Sequence, residues 1–439
     1  MSKQTVGARI PFAEVRFGSF HRRVAVASMG GVFSDGYGLG IIGVALTGAD
    51  ADLHLSALWV GLLGGASLAG LFLGALLAGP FADQHGRRPL FAYNMGLLAL
   101  LSVGQFWVHS SAAWLLLRLS IGFLLGTDYV VSKAMLSEWM PSRSRPRIMG
   151  MLSIAWAAGY AIAYFTSFAL LFIGHEAWRW MLLTSAVPCL LILPLRLQMP
   201  ESAVWLVDHG QADRASTVVS RYVSPDAAAP VPSPVAIVAT GRWRQLGSAA
   251  WRQRTGVACA LFTCQVIPYF AVGTFVSRVL SALTVSGSYV GGLVYNAALL
   301  LGAVLGLVTV DRIARRTFIV GSFVISATAM SVLTVGSALP GWLTVTLFAV
   351  FAGVLSAASN MVYVYLPELF PTDLRASGIG LAVASSRIGS AISTFLLPLI
   401  VAGFGVRPAL GCCVIVLVIG ALICFKWAPE TRRQSALII

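Results

Sequence analysis

Hydrophobic residues run through this sequence in twelve long stretches, separated by short loops of which several are rich in arginine. Each stretch is close to the roughly 20 residues that an α-helix needs to cross a bilayer. The pattern therefore predicts an all-α membrane protein with twelve transmembrane helices. The stretches are approximately 24–46, 57–79, 90–108, 112–137, 148–173, 179–197, 255–277, 287–310, 317–338, 342–366, 376–402 and 407–427.

The composition and the charge distribution support this prediction. Of the 439 residues, 58% are hydrophobic and only 10% are charged, whereas a soluble domain carries about a quarter charged residues. Of the 30 lysines and arginines, 24 fall on one side of the predicted helices and 3 on the other. By the positive-inside rule both termini lie in the cytoplasm. The formal charge of +14 is thus explained by topology, and we expect no nucleic-acid partner.

Neither the cysteines nor the histidines indicate a metal or a cofactor. All six cysteines fall in predicted helices, and they lack the spacing of a zinc site. All six histidines lie at helix ends or in loops, whereas a haem or metal centre in a membrane needs ligands at depth. The sequence also has no catalytic constellation, so we expect neither an enzyme nor a bound cofactor.

Several charged landmarks occur twice, in the same order and 228 to 230 residues apart. The duplicated pairs are Asp83/Asp311, Arg87/Arg315, Arg88/Arg316, Glu138/Glu368 and Arg145/Arg375. A parallel repeat in a polytopic membrane protein predicts two six-helix halves around a central site. The predicted parts are an N-terminal half (1–197), a cytoplasmic linker (198–254) and a C-terminal half (255–439). The alternative for each arginine loop is a simple topology signal.

These motifs resemble the major facilitator superfamily. The loop 79–88 is similar to its signature loop between helices 2 and 3, and Pro200-Glu201-Ser202 is similar to its sugar-porter branch. Asp128-Tyr129 and the run 264–268 resemble bacterial inner-membrane metabolite transporters of that branch. The resemblance implies alternating access in a bacterial inner membrane, with Asp83 and Arg88 clamping the cytoplasmic ends of the halves. The other gating residues that it implies are Arg87, Glu138, Arg145, Asp311, Arg315, Glu368 and Arg375.

The sequence departs from sugar porters around the expected site. Their helix 1 carries Gly-Tyr-Asp, where the acid binds the proton, but here the triplet is Gly36-Tyr37-Gly38 and an acid precedes it at Asp35. The tryptophan of helix 10 becomes Tyr363, and one of the paired glutamines of helix 7 becomes Cys264. These departures argue against recognition of a hexose.

Ionisable residues inside transmembrane helices are costly, and they are functional by default. The sequence has five of them: Asp35, Arg118, Asp128, Lys133 and Arg387. We predict that Asp35 carries the proton, with Arg118 and Asp128 as partners in coupling; the alternative is a set of fixed ion pairs. Because Arg118 and Lys133 are candidate partners for the two acids, Arg387 remains as the odd cation, able to bind a carboxylate or phosphate.

The predicted substrate site combines Lys133 and Arg387 with the polar residues Gln265, Tyr269, Asn360 and Tyr363, because buried amides need hydrogen-bond partners. The leading interpretation is a monomeric, proton-coupled importer of a small polar metabolite, anionic if Arg387 contacts it. One alternative is a proton-driven exporter of an amphipathic or cationic compound. Another, from a different class, is a nutrient sensor with a transporter fold.

Overall fold

The computed structural model describes residues 10–231, 245–310, 312–336 and 339–431. Within these ranges it contains twelve helices long and apolar enough to cross a membrane, which confirms the predicted all-α class. We number these helices α1 to α12. They are Ser19–Asp50, Ala57–His85, Arg87–Trp107, Ser111–Trp139, Arg145–Ile173, Ala177–Leu197, Arg252–Thr274, Ser288–Thr309, Arg315–Val335, Gly341–Leu369, Ser377–Phe404 and Val406–Trp427.

The two halves, α1–α6 and α7–α12, repeat the same local structure at the arginine-rich loops. In the first half, the Glu201 carboxylate accepts hydrogen bonds from the backbone N–H groups of Arg87 (2.9 Å) and Arg88 (3.1 Å), at the start of α3. In the second half, Glu430 accepts the equivalent bonds at the start of α9, both at 3.0 Å. A carboxylate satisfies the free N–H groups of a helix N-terminus and opposes its positive dipole. Each loop is therefore held by its own half.

Short elements complete the described chain. Two helices, Ala203–Asp208 and Ala212–Tyr222, follow α6, and their buried residues join the hydrophobic core near the start of α1. They occupy the first part of the predicted linker, whose residues 232–244 lie outside the described chain. A further helix, Val276–Ala282, follows α7.

Helices α1 and α7 are interrupted at corresponding positions of the two halves. The first part of α1 ends at Gly40, and a second part begins at Ile42; the chain likewise leaves α7 at Phe275 before the helix Val276–Ala282. The two interruptions pack against each other. A Cβ on Gly43 would lie only 1.8 Å from the carbonyl oxygen of Thr274, so only glycine fits this contact. Paired interruptions of this kind mark the binding region of many transporters.

The halves also meet at the end of the bundle that is opposite the arginine-rich loops, which we call the latch end. Arg278 reaches from the second half to α1, where it donates to the Leu46 carbonyl oxygen (2.9 Å) and to the Thr47 hydroxyl oxygen (3.2 Å). Burial lowers the pKa of Arg278, and the nearby Asp50 carboxylate opposes that effect. The end that carries the loop 79–88 is called the arginine-rich end below.

Candidate functional site

A cavity lies between the two halves, with walls from α4 and α5 of the first half and from α7, α8, α10 and α11 of the second. Its volume is about 70 Å³. The cavity is therefore narrow and suits a small molecule. Because its walls come from both halves, any rocking of one half against the other changes its shape.

Arg387 on α11 is the cation of this cavity. Its side chain is buried, and the guanidinium carbon lies 5.1 Å from the centre of the Tyr129 ring and 5.9 Å from that of Phe262. Its Nε atom is buried without a hydrogen-bond partner, and in the described chain no carboxylate forms an ion pair with it. The alternative pairing with Asp128 is therefore not formed. Nothing in the described protein balances this charge directly.

Gln265 on α7 presents an unused hydrogen-bond acceptor. Its Nε2 atom donates to the Leu355 carbonyl oxygen and to the Ser359 hydroxyl oxygen, both at 2.9 Å, whereas its buried Oε1 atom has no partner. A carbonyl oxygen can only accept, so the bond to Leu355 fixes which end of the amide is the nitrogen. The free amide oxygen is thus a property of the site, because the network leaves no alternative orientation.

Aromatic rings form much of the remaining wall. Trp156 lies edge-on to Phe270, with ring centres 5.8 Å apart, and 6.1 Å from the ring centre of Tyr269. With Tyr129 and Phe262 they make five aromatic side chains that line the cavity. The predicted substrate site includes Tyr269 but not the other four, because aromatic residues on transmembrane helices more often pack against neighbours or lipid. Only the fold shows that these rings face one space.

Three of the other predicted substrate residues lie elsewhere or outside the described side chains. Asn360 donates to the Ala303 carbonyl oxygen (2.8 Å) and accepts from the Ser153 hydroxyl. It thereby joins α10 to α5 across the two halves. Lys133 places its ammonium 3.3 Å from the centre of the Tyr129 ring, next to the cavity wall. The side chain of Tyr363 lies outside the described part of the structure.

Asp128 on α4 forms a buried ion pair with Arg196, a residue that the sequence analysis missed. The two guanidinium nitrogens of Arg196 bind the two carboxylate oxygens, one at 3.1 Å, and neither side chain is exposed. Arg196 also donates to the Ala27 carbonyl oxygen (3.1 Å) and to the Ser132 hydroxyl (2.8 Å). The predicted pairing of Asp128 with Lys133 is therefore wrong. Arg196 lies near the end of α6. The sequence-based count of charges therefore included it with the loop residues of the arginine-rich end and not with the ionisable residues inside helices.

Asp35 and Arg118 do not pair with each other. Both carboxylate oxygens of Asp35 are buried and lack a hydrogen-bond partner in the described chain. Arg118 donates from Nη1 to the Gly38 carbonyl oxygen (3.2 Å), and its Nε and Nη2 atoms are buried without partners. The expectation that Arg118 is the partner of Asp35 is therefore wrong. Charges that act on Asp35 come from Asp128, Arg196, Lys133 and Arg387.

The arginine-rich loops are tied within their own halves. Arg87 pairs with Asp83 (2.9 Å) and with Glu138 (3.2 Å). Arg88 donates to the Met199 carbonyl oxygen (3.1 Å), so these contacts of Asp83 and Arg88 lie within the first half, and the predicted clamp between the halves stays a prediction.

The second copy of the loop repeats part of this pattern. Arg315 lies 3.6 Å from Glu368, the counterpart of Arg87 with Glu138, whereas Asp311 lies outside the described residues. Arg145 donates to the Met140 carbonyl oxygen (3.0 Å), and Arg375 is exposed. In both halves, therefore, an arginine of the loop lies close to a glutamate near the end of α4 or α10.

Comparisons with known proteins agree with this architecture. The family model described as "Sugar (and other) transporter" matches residues 23–437. The chain is 36% identical to the inner membrane metabolite transport protein YgcS of Escherichia coli K12, over 94% of this chain and 92% of that protein. It is 34% identical to the metabolite transport protein YaaU of the same organism, over 97% and 95%. The xylose transporter XylE of E. coli, in a partially occluded inward open conformation, superposes with a TM-score of 0.79 at 18% identity, covering 94% and 99%.

Proposed function

Because this chain belongs to the sugar (and other) transporter family and has the major facilitator fold, we propose that it imports a small, polar, anionic metabolite together with protons. The observation that carries the proposal is Arg387, a buried cation in the cavity between the halves that forms no ion pair with a carboxylate of the described chain. A guanidinium stays charged in a protein, and a charge at this depth needs compensation. A substrate carboxylate or phosphate supplies it.

The places where the halves touch support a mechanism of alternating access. In the described chain the latch end holds the Arg278 contacts and the packing of Gly43 on Thr274. At the arginine-rich end, Arg87 pairs with Asp83 and Glu138 of its own half, and Arg315 lies close to Glu368 of its own half. We assign gating roles to these loop residues, which exchange partners when that end closes. They are Asp83, Arg87, Arg88, Glu138, Arg145, Asp311, Arg315, Glu368 and Arg375.

Asp35 is the proposed site of proton binding. An ionised carboxylate without hydrogen-bond donors is costly in a dry interior, whereas the same group is readily ionised once water reaches it. A carboxylate that alternates between these surroundings binds and releases a proton in each cycle. Asp128 differs, because Arg196 compensates its charge directly. Asp128 and Arg196 would then set the field around Asp35, and Arg118 would act through its hydrogen bond to Gly38 in the same helix.

The proposed setting is a bacterial inner membrane with both termini in the cytoplasm. The distribution of lysine and arginine supports this orientation, and YgcS is named as an inner membrane protein. We also propose that the protein acts as a monomer, because α4 to α11 of one chain supply the cavity walls. Import then proceeds toward the arginine-rich end.

Export of a cationic compound has less support. Asp128, the acid that suggested it, is fully engaged by Arg196 and Ser132. The charged group that lines the cavity is Arg387, which repels a cation. A nutrient sensor would have the same fold and ligand, but it would bind without moving substrate.

A two-step experiment tests the proposal. Purified protein is first screened by thermal shift against carboxylates, phosphates, sugars and organic cations, because a ligand that binds only the folded state raises the melting temperature. The ligand is then followed into proteoliposomes with and without an inward proton gradient. We expect an anion to bind and to accumulate only with the gradient. Binding without any flux would indicate a sensor, and a preference for cations would contradict the proposal.

A further inference from the structure

The cavity leaves very few polar groups for a ligand. Of its buried lining atoms, only Nε of Arg387 and Oε1 of Gln265 lack a hydrogen-bond partner within the described chain. The hydroxyl of Ser153 is engaged by Gly150 and Asn360, and that of Ser359 by Leu355 and Gln265. A polyhydroxylated sugar needs many free partners, because each buried hydroxyl left unpaired loses affinity. Among the fully buried lining atoms of the described chain, the site thus leaves one cationic donor and one acceptor without a partner.

The rest of the wall is built for a flat, apolar body. Five of the thirteen lining residues are aromatic: Tyr129, Trp156, Phe262, Tyr269 and Phe270. Three of these rings lie within about 6 Å of one another around Trp156, at the separation of stacked or edge-on aromatic pairs. A planar aromatic ring in a ligand would form further stacked or edge-on pairs with this cluster. An aliphatic ring of equal size would be stabilised only by the burial of its apolar surface.

Arg387 is held where a carboxylate on such a ring would meet it. Its guanidinium lies against the rings of Tyr129 and Phe262, and contact with two aromatic faces limits the rotation of a long side chain. Lys133, whose ammonium lies 3.3 Å from the centre of the same Tyr129 ring, adds positive charge nearby. The cationic group and the aromatic wall therefore belong to one surface.

We propose that the substrate is an aromatic monocarboxylate that carries one hydrogen-bond donor on its ring; this rests on the anion transport proposed above. Arg387 binds the carboxylate, the aromatic wall stacks on the ring, and the free oxygen of Gln265 accepts the donor. The class follows from matching the two buried, unpartnered groups and the aromatic wall each to one part of the ligand. It differs from the sugars because it needs only two polar contacts.

Five small probes with the purified wild-type protein test each part of the match by calorimetric titration. Benzoate should bind about 10- to 100-fold more tightly than benzamide, its neutral counterpart, as expected for a charge-assisted hydrogen bond. It should exceed cyclohexanecarboxylate by about 3- to 10-fold through stacking, and 4-hydroxybenzoate should exceed benzoate by about 2- to 10-fold through the added donor. Gluconate, an anion without a ring, should bind poorly.

A pair of variants shows whether the ring preference comes from this wall. Phe262→Leu keeps an apolar side chain but removes an aromatic face, so the preference for benzoate over cyclohexanecarboxylate should fall toward one. Phe323→Leu is the matched control, because Phe323 is buried in α9 and does not line the cavity. The preference should be unchanged in that control.

The possible outcomes separate this inference from the proposed function. If gluconate binds and benzoate does not, or if benzoate and cyclohexanecarboxylate bind equally, the aromatic class is wrong while anion transport stands. If no carboxylate binds and a sugar or cation does, both proposals are wrong. An equal loss of ring preference in both phenylalanine variants would also overturn the inference, because the preference would then be a property of general packing.

Discussion

The guanidinium of Arg196 and the carboxylate of Asp128 form a two-pronged ion pair from which solvent is fully excluded. The pair joins α6 to α4, and the Ala27 carbonyl oxygen of α1 accepts a third bond from the same guanidinium. Removing one member of a buried pair leaves the other charge uncompensated, which costs far more than the pair itself contributes. The first half of the protein therefore depends on both residues together.

We predict that Arg196→Gln destabilises the protein by about 3–5 kcal/mol, the cost of a buried charge left alone. Thermal unfolding in detergent measures the change. Arg118→Gln is the matched control, because Arg118 is equally buried but bonds only to a carbonyl oxygen, and it should lose much less. The double variant Arg196→Gln with Asp128→Asn should recover much of the loss. Equal losses in the two arginine variants would contradict this account.

Gly31 offers a second way to disturb the same pair. A Cβ at this position would lie 1.6 Å from a terminal nitrogen of Arg196 and 2.6 Å from an oxygen of Asp128. The pair is thus seated directly on the backbone of α1, one helical turn before Asp35. This contact links the resident ion pair to the proposed proton site.

For Asp35→Asn, we expect transport without proton coupling. An amide at this position cannot exchange a proton, but it keeps nearly the same shape and stays neutral in the buried site. Substrate counterflow, which needs no gradient, should continue, whereas accumulation driven by a proton gradient should be lost. Asp226→Asn, at an exposed position, serves as the control. Unchanged accumulation in Asp35→Asn would remove the role proposed for this residue.

Gly38→Asp should restore an acid at the position where sugar porters carry one. The nearest atoms to a Cβ built on Gly38 are methyl groups of Leu125, at 3.8 and 3.9 Å, so a side chain fits. Arg118 already contacts the carbonyl oxygen of Gly38 and has two unpartnered nitrogens. We predict that Gly38→Asp, added to Asp35→Asn, recovers proton-driven accumulation. Gly38→Asn is the neutral control and should not do so; recovery by both would show that charge is irrelevant.

The twelve helices and the internal repeat could be predicted from the sequence, because short stretches of sequence are enough to recognise both. Hydrophobic length defines a span, and duplicated landmarks such as Glu138 and Glu368 need no knowledge of packing. The partner of Asp128 could not be predicted in this way. Arg196 lies 68 residues away along the chain, close to a helix end where arginines usually face water, and only the packing of α6 on α4 brings the two together.

The candidate site was predictable only in part, for a similar reason. Arg387 and Gln265 were recognisable because polar groups at membrane depth need an explanation. Trp156 and Phe262 carry no such signal, since an aromatic side chain is at home in lipid, in a core or in a binding cavity. Asn360 satisfies the same rule as Gln265, yet it bridges two helices. A sequence shows that a polar group needs a partner, but not which partner it finds.

We predict that Arg387→Gln weakens binding of an anionic substrate by about 1.5–3 kcal/mol, the scale of a charge-assisted hydrogen bond, with little change in melting temperature. Arg387→Lys should also bind poorly if the contact uses two parallel hydrogen bonds. Titration of the ligand and thermal unfolding of the same preparations provide the two measurements. Unchanged affinity together with a large fall in melting temperature would show that Arg387 has a structural role.

In the Arg278→Gln variant, we expect the latch end to be open for a larger fraction of the time. The variant loses hydrogen bonds across the halves worth about 0.5–1.5 kcal/mol each. Labelling of a cysteine placed at Ser356 in the cavity, with an impermeant reagent added from the latch end, should therefore become faster. Arg179→Gln is the matched control at the same end, because Arg179 donates to Phe106 and Val108 within one half. Equal labelling rates in the two variants would contradict the assignment.

The packing of Gly43 on the Thr274 carbonyl has a consequence for how the two ends respond to their surroundings. This contact joins backbone to backbone and carries no net charge, so dissolved salt scarcely affects it. The loops at the other end hold clustered charges that ionic strength screens and that anionic lipid headgroups attract. Salt and lipid composition should therefore act more strongly on the arginine-rich end, because the backbone contact at the latch end does not respond to them. The lipid composition of the membrane then helps to determine which end of the protein is open in the absence of substrate.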